Sequence, residues 1–379
     1  MAHPPVHIQL YLPCSSSFGT KILEGASRFA REKPHVRLII NNQLNIQTDG
    51  ILAALDTPAN IPKLQKIKLP VVNVTDIQLH PTFPTVMCNN YAIGKTAAEY
   101  LVLRGFYQMA TYGWDKPNPD ADPNFASERF RGFIQTLEKH NRPYVQILPE
   151  ACSEQWKTHL QQLCDQLQSL PRPLAIWCSC DQMGANLLYA CRELGLGIPD
   201  DIGVLGIGDE FPICEICEPA ISSVDTAIVQ RGYRGMAMLT HWIENQTRAP
   251  RTQVLQPVGV TERGSTNALH FTDIHLRTVM QLIMENLDGD LHIERLLDHV
   301  PISRRRLETK CRNILGESLA QIIRKARLNR ARELLIDTSQ SIHDIAGQCG
   351  YKNISAFSAA FTRDFGSKPS VYRKMLGQL

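Results

Sequence analysis

The sequence predicts an α/β chain of two parallel-sheet lobes with helices on both faces, followed by an all-α tail holding two helix-turn-helix units. Three observations carry this. Short apolar runs alternate with amphipathic stretches of helical spacing over residues 1–266. After residue 274 the pattern turns wholly helical. Within that tail, two stretches match each other at a shift of 50 residues.

The elements follow in order. "VHIQLYL" is a strand run ended by Pro13. "FGTKILEGASRFAREK" then places Ile22, Leu23, Ala26, Phe29 and Ala30 on one helical face. "VRLII", "GILAAL", "LPVVNV" and "TVMCNN" read as strands, and the last feeds the helix "AIGKTAAEYLVLRG". The alternation continues through "MATYGW", "SERFRGFIQTLEKHN", "YVQILP", "EQWKTHLQQLCDQL", "LAIWCS", "QMGANLLYACRELG", "DIGVLGIG" and "IVQRGYRGMAMLTHWIENQ". About ten strands fit two lobes with a cleft between them better than one sheet, and ligands on such sheets bind beyond the carboxyl ends of the strands.

Composition narrows the class. Apolar residues make up 43% and charged residues 20%, as in a globular protein. The net charge of +3 is unevenly spread: residues 273–379 hold 17 basic and 12 acidic side chains, while the body is slightly acidic. A basic end suits an anionic partner. No apolar run is long enough for a membrane span, and the N-terminus lacks a basic n-region, so a cytoplasmic protein is expected. The 11 cysteines follow no framework spacing, which fits free thiols in a reducing compartment. Cys178 with Cys180, and Cys214 with Cys217, lack a second pair at finger spacing, so neither metal nor cofactor is expected. There is no GxSxG elbow, P-loop or HExxH, and a binding protein is expected rather than an enzyme.

"CNNYAIGKTAAEYLVLRGF", "SERFRGF", "CDQMGANLLYACRELGLGIPDDIGVLGIGDE", "ISSVDT" and "PVGVTERGST" occur in that order. Together they resemble the effector-binding domain of LacI-type repressors, itself similar to periplasmic sugar-binding proteins. The resemblance implies a sugar in the cleft, with carboxylates, amides and an arginine on its hydroxyls and aromatic rings on its apolar faces. Carried over, it points to Phe18 in the loop after the first strand, and to Asn89, Arg129, Trp156, Asp181 and Asp209. Asn89, Cys180 and Gly208 depart from the acidic or amide residues usual there.

In the tail, Leu307, Cys311, Leu315 and Gly316 align with Phe357, Phe361, Phe365 and Gly366. Each copy reads helix, short turn, helix, glycine stop, which is a helix-turn-helix. Ser303 is placed to cap the second helix of the first copy. Leu307, Cys311 and Leu315 form its buried stripe, leaving Arg305, Glu308, Thr309 and Arg312 on the exposed face. The second copy buries Phe357, Phe361 and Phe365 and exposes Ile354, Ser355, Ser358 and Ala359 after Asn353. The joining helix, from Ser318 to about Asp337, is close to one DNA turn in length, so both recognition helices can enter successive major grooves.

"LNRARELLIDTSQSIHDIAGQCGYKNISAFSAAFTRDFGSKPSVYRK" resembles the AraC-type DNA-binding domain. By position, Arg305, Glu308 and Thr309 are expected at base edges, with Arg304 and Arg312 near phosphates. The combination, with an effector domain over 1–266, a linker over 267–274 and a DNA-binding domain over 275–379, resembles the family of xylose-responsive transcriptional activators. That resemblance implies a cytoplasmic homodimer that binds D-xylose in the cleft, double-stranded DNA through the tail, and RNA polymerase at the promoter. Response to another monosaccharide, repression in place of activation, and a tail that binds protein are the alternatives.

Overall fold

The computed structural model describes residues 4–41, 43, 47–55, 61–76, 83–113, 125–147, 156–247, 252–287 and 293–376. The apolar runs become two six-stranded sheets. The first lobe holds β1 (Val6–Tyr11), β2 (Val36–Ile40), β3 (Gly50–Ala53), β4 (Val71–Asn73), β5 (Thr85–Cys88) and β11 (Thr252–Leu255), ordered β11-β5-β4-β3-β1-β2 and parallel throughout. The second holds β6 (Gln108–Tyr112), β7 (Tyr144–Ile147), β8 (Leu174–Cys178), β9 (Ile202–Ile207), β10 (Ser222–Asp225) and β12 (Gly259–Thr261), ordered β12-β10-β9-β8-β6-β7. It is parallel except for β12, which runs antiparallel to β10 at the sheet's edge.

Helices cover these sheets because one stripe of each is apolar, as in the short α2 (Ile61–Gln65), which buries Ile61 and Leu64. α1 (Ser17–Glu32) buries Ile22, Ala26 and Phe29, as its spacing predicts, and packs on α8 (Ile228–Asn245). Gly25 makes that contact close: a Cβ there would lie 1.9 Å from the Val229 carbonyl oxygen. α3 (Asn90–Leu103) and α4 (Phe125–Lys139) pack the same way on the second lobe through Gly94 and Gly132. α5 (Trp156–Gln168), α6 (Asp181–Glu193) and the short α7 (Phe211–Ile216) complete that lobe. The chain crosses between lobes three times: from β5 into α3, from β10 into α8, and from β11 into β12.

The segment expected as a linker is docked. Phe271 is buried, the His270 amide donates to the Arg104 carbonyl at 2.8 Å, and the His270 ring lies on Phe106 at 4.1 Å. Asp273 caps α9 (Ile274–Glu285), so the helical domain begins within the expected linker. The tail continues with α10 (Ile293–Asp298), α11 (Arg304–Leu315), α12 (Leu319–Asp337), α13 (Ile342–Gln348), α14 (Ile354–Phe365) and α15 (Pro369–Leu376). α10 with α11, and α13 with α14, are the two helix-turn-helix units. Gly316 and Gly366 close α11 and α14 in the same left-handed conformation, at φ 71° and 72°. α15 lies against α1 and α8, so body and tail share one apolar core.

Candidate effector cleft and nucleic-acid interface

The strand ends of both lobes place polar side chains together. Asp76 follows β4; its carboxylate accepts from the Cys88 amide at 2.9 Å and from Arg231, in the first turn of α8, at 2.9 Å. Arg129, in the second turn of α4, reaches the same carboxylate at 3.8 Å and donates through Nε to Asn90 Oδ1 at 2.9 Å. Two guanidinium groups from opposite lobes thus face one carboxylate. Arg231 also lies over the Phe18 ring at 5.7 Å, and Arg129 over Phe125 at 5.1 Å. Burial pushes Arg129 below the usual arginine range, an effect that Asp76 opposes. Donors fixed by this ion pair and two flat rings suit a small polyhydroxylated ligand, whose hydroxyls need partners at set angles. Lys21 of α1 bridges the lobes nearby, donating to the carbonyls of Gly208 at 2.7 Å and Asp209 at 2.6 Å.

The expected ligand residues divide. Phe18 and Arg129 belong to this group, although Phe18 lies in the first turn of α1, which Ser16 caps, rather than in a loop. Asn89 is half-exposed beside it, capping α3 by accepting from the Ala92 amide at 3.0 Å. Asp181 is wholly buried and turned inward: it accepts from Ser223 Oγ at 2.5 Å and from the Glu210 amide at 2.8 Å, and burial raises its pKa. Asp209 is engaged by Arg263 at 2.8 Å and Thr261 at 3.0 Å. Its backbone has a positive φ of 52°, set by the turn after β9. Both carboxylates therefore brace the loops around the cleft. Trp156 is 45% exposed at the start of α5, edge-on to Tyr189 at 5.8 Å. Asp76, Asn90 and Arg231 escaped the reading from sequence. Asp76 was within its reach, since it stands three residues beyond a strand's carboxyl end.

No group of three or more His, Cys, Asp or Glu among the described residues is placed to hold a metal ion. The described cysteines are free, and burial pushes the thiols of Cys178 and Cys214 well up.

The helical tail presents the expected faces with three exceptions, Glu308, Ser358 and Phe365. Ser303 caps α11, accepting from the Arg306 amide at 3.3 Å, while Leu307, Cys311 and Leu315 are buried beneath. Arg304, Arg305, Thr309 and Arg312 are exposed, and Arg304 pairs loosely with Glu294 at 3.2 Å. Glu308 is the first correction. It is half-buried, and its carboxylate accepts from the Leu319 amide at 3.4 Å. One step from buried Leu307, it lies on the flank of the stripe, where the unpaired first amides of α12 draw it. In the second unit, Asn353 caps α14 by accepting from the Ser355 amide at 2.7 Å. Ile354, Ser355 and Ala359 are exposed, whereas Ser358 is half-buried, as its equivalence to Glu308 dictates. Phe357 and Phe361 are buried; Phe365 packs on the core only partly covered.

Comparison with known proteins defines the class first. A periplasmic binding protein-like domain model matches residues 98–266, and a helix-turn-helix domain model matches residues 296–375. The chain is a two-part transcriptional regulator: a two-lobed ligand-binding body fused to a double helix-turn-helix tail. The relatives narrow it. Over 338 residues it is 29% identical to the xylose operon regulatory protein of Haemophilus influenzae, covering 88% of this chain and 86% of that one. It is 28% identical to the Escherichia coli K12 protein of the same name over 331 residues, 86% of this chain and 83% of that one. The solved structure of a xylose-binding transcription activator, xylR, matches all of both chains with a TM-score of 0.61 and 26% identity. A cellobiose complex of the regulator CelR shares the fold of the body, with a TM-score of 0.54 and 20% identity over 69% of this chain.

Proposed function

We propose that this chain senses D-xylose in the interlobe cleft and activates transcription of genes for its use. The observation that carries this is the Asp76–Arg129–Arg231 group beside Phe18, built from both lobes, in a chain whose tail is a double DNA-binding unit. Sugar bound there touches residues of both lobes, so it favours one interlobe angle over another. It can switch the protein only by binding the DNA-competent arrangement more tightly. Arg305 and Thr309 of α11 read base edges; Arg304 and Arg312 hold phosphate; Ile354, Ser355 and Ala359 of α14 make close, weakly discriminating contact. The working form is a cytoplasmic homodimer on adjacent DNA sites, within reach of RNA polymerase.

Calorimetric titration with D-xylose beside arabinose, ribose, glucose and galactose tests the effector. Selective saturable binding of xylose is the expected result. Selective binding of another sugar would keep the two-part regulator and replace its signal. DNA binding should also weaken steeply as salt rises, because phosphate contacts release counterions; a salt-independent tail would exclude DNA as its partner.

A further inference from the structure

The long helix between the two helix-turn-helix units carries a buried arginine with no role in DNA contact. Arg332 of α12 is 4% exposed. Its guanidinium donates to the Val258 carbonyl at 2.9 Å and to the Val260 carbonyl at 2.8 Å. Those two carbonyls flank Gly259, which has a positive φ of 133°; a Cβ there would lie 2.0 Å from Arg332 Nη1. The glycine thus provides both the backbone turn and the space that the guanidinium fills.

The location gives this contact meaning. Residues 256–258 form the crossing from β11 in the first lobe to β12 in the second. The Val258 amide donates to the Asp225 carbonyl at 3.0 Å, which ties this crossing to the one that runs from β10 into α8. Two of the three interlobe crossings therefore meet where the DNA-binding domain inserts Arg332. The other contacts between body and tail each rest on a single lobe: Arg142 donates to the Ile314 carbonyl at 3.2 Å and Lys325 lies 3.7 Å from Glu99 on the second lobe, while α15 packs against α1 and α8 of the first.

We infer that Arg332 and Gly259 form the clasp that converts a change in interlobe angle into a change in the setting of α12, and with it of both recognition helices. A change in lobe angle turns the crossing strand, and with it the two carbonyls. A guanidinium bonded to both must follow or lose a buried bond, and a buried carbonyl left unpaired is costly. Arg332 is a positioning residue: it touches neither sugar nor DNA. The inference rests on the proposed effector reading, and the test separates the two.

Full-length wild type, Arg332→Gln, Arg332→Lys and Gly259→Ala are compared by calorimetry for D-xylose, and by fluorescence anisotropy on a duplex selected from a random pool, with and without the sugar. The clasp requires Arg332→Gln to bind xylose within about threefold of wild type, and to lose most of the sugar-dependent change in DNA affinity, which for allosteric proteins is about 5- to 150-fold. Arg332→Lys, a point donor unable to span both carbonyls, should retain only part of it. Full sugar dependence in Arg332→Gln overturns the clasp. If wild type binds no xylose, the effector reading fails on its own. Hydrogen exchange then decides the clasp: adding the duplex should change protection over residues 256–261 in wild type and not in Arg332→Gln. Equal changes in both would overturn it. Gly259→Ala, which crowds the guanidinium without removing charge, should reproduce the uncoupling if Arg332→Gln does not fold.

Discussion

At the scale of single residues, Asp76 holds the cleft together. It balances two guanidinium groups, and the side chains of Asp76 and Arg231 are 8% and 2% exposed. Removing one partner of such a buried pair strands the other, so Asp76→Ala should cost about 3–5 kcal/mol of stability, read in a denaturant melt, and abolish sugar binding. A loss under 1 kcal/mol would show that water reaches the pair. On the DNA side the proposed roles of the α11 arginines can be told apart by substitution. Arg305→Ala should narrow the affinity gap between the selected site and scrambled DNA, while Arg312→Ala should weaken both alike and lower the salt slope by about one. Much of α11 was legible in sequence, because capping and a stripe at spacing four are local rules: Ser303, Leu307, Cys311 and Leu315 stand where those rules put them. Glu308 misled because its partner, the Leu319 amide, belongs to the next helix. Arg231 stayed hidden because its carboxylate is 155 residues away, with no spacing to announce it.

At the scale of elements, the two helix-turn-helix units repeat down to their caps, and the sequence match at a shift of 50 residues carried that information. The seating of the tail on the body was not legible, because it depends on partners far apart in sequence, among them two histidines whose value lies only in packing. The His140 ring sits under Gly316 at the end of α11, where a Cβ would meet it at 2.6 Å, and His270 stacks on Phe106 in the segment expected as a linker. Burial lowers the pKa of both. A histidine whose folded pKa is depressed stabilises the fold above its unfolded value of about 6.5, and that contribution is lost as pH falls through the folded value. Acidification from pH 7.5 to 5.5 should therefore lower the melting temperature and the hydrogen-exchange protection factors of residues 264–276 and of the end of α11. His140→Gln should flatten part of that dependence. An unchanged melting temperature over this range would mean that both rings are protonated in place without cost.

At the scale of the whole molecule, the decisive property is how firmly the two recognition helices are held apart. α12 spans 19 residues, about 28 Å at 1.5 Å per residue, somewhat less than the roughly 34 Å between successive major grooves on one face of DNA. Ser318 and Gln321 form a reciprocal capping box at its start, and Leu319, Ile322, Ile323, Leu328, Ala331, Leu334 and Leu335 are buried along it. The helix is a fixed spacer, unlike a tether that could stretch. Duplexes with base pairs inserted between the two contacted grooves distinguish these cases. Five added pairs turn the second groove to the far side of the DNA. Ten restore its direction and move it about 34 Å further along the axis. A flexible joint would tolerate ten and fail at five. The fixed spacer should fail at both, with affinity falling about tenfold or more, toward that of the first unit alone. The residual binding should be sizeable, because α11 exposes Arg304, Arg305, Arg306 and Arg312, whereas the surface at the start of α14 is Ile354, Ser355 and Ala359. Anisotropy on the three duplexes measures this directly. Recovery at ten pairs would show that α12 unwinds and extends, and that the separation of the two units is set by the DNA rather than by the protein.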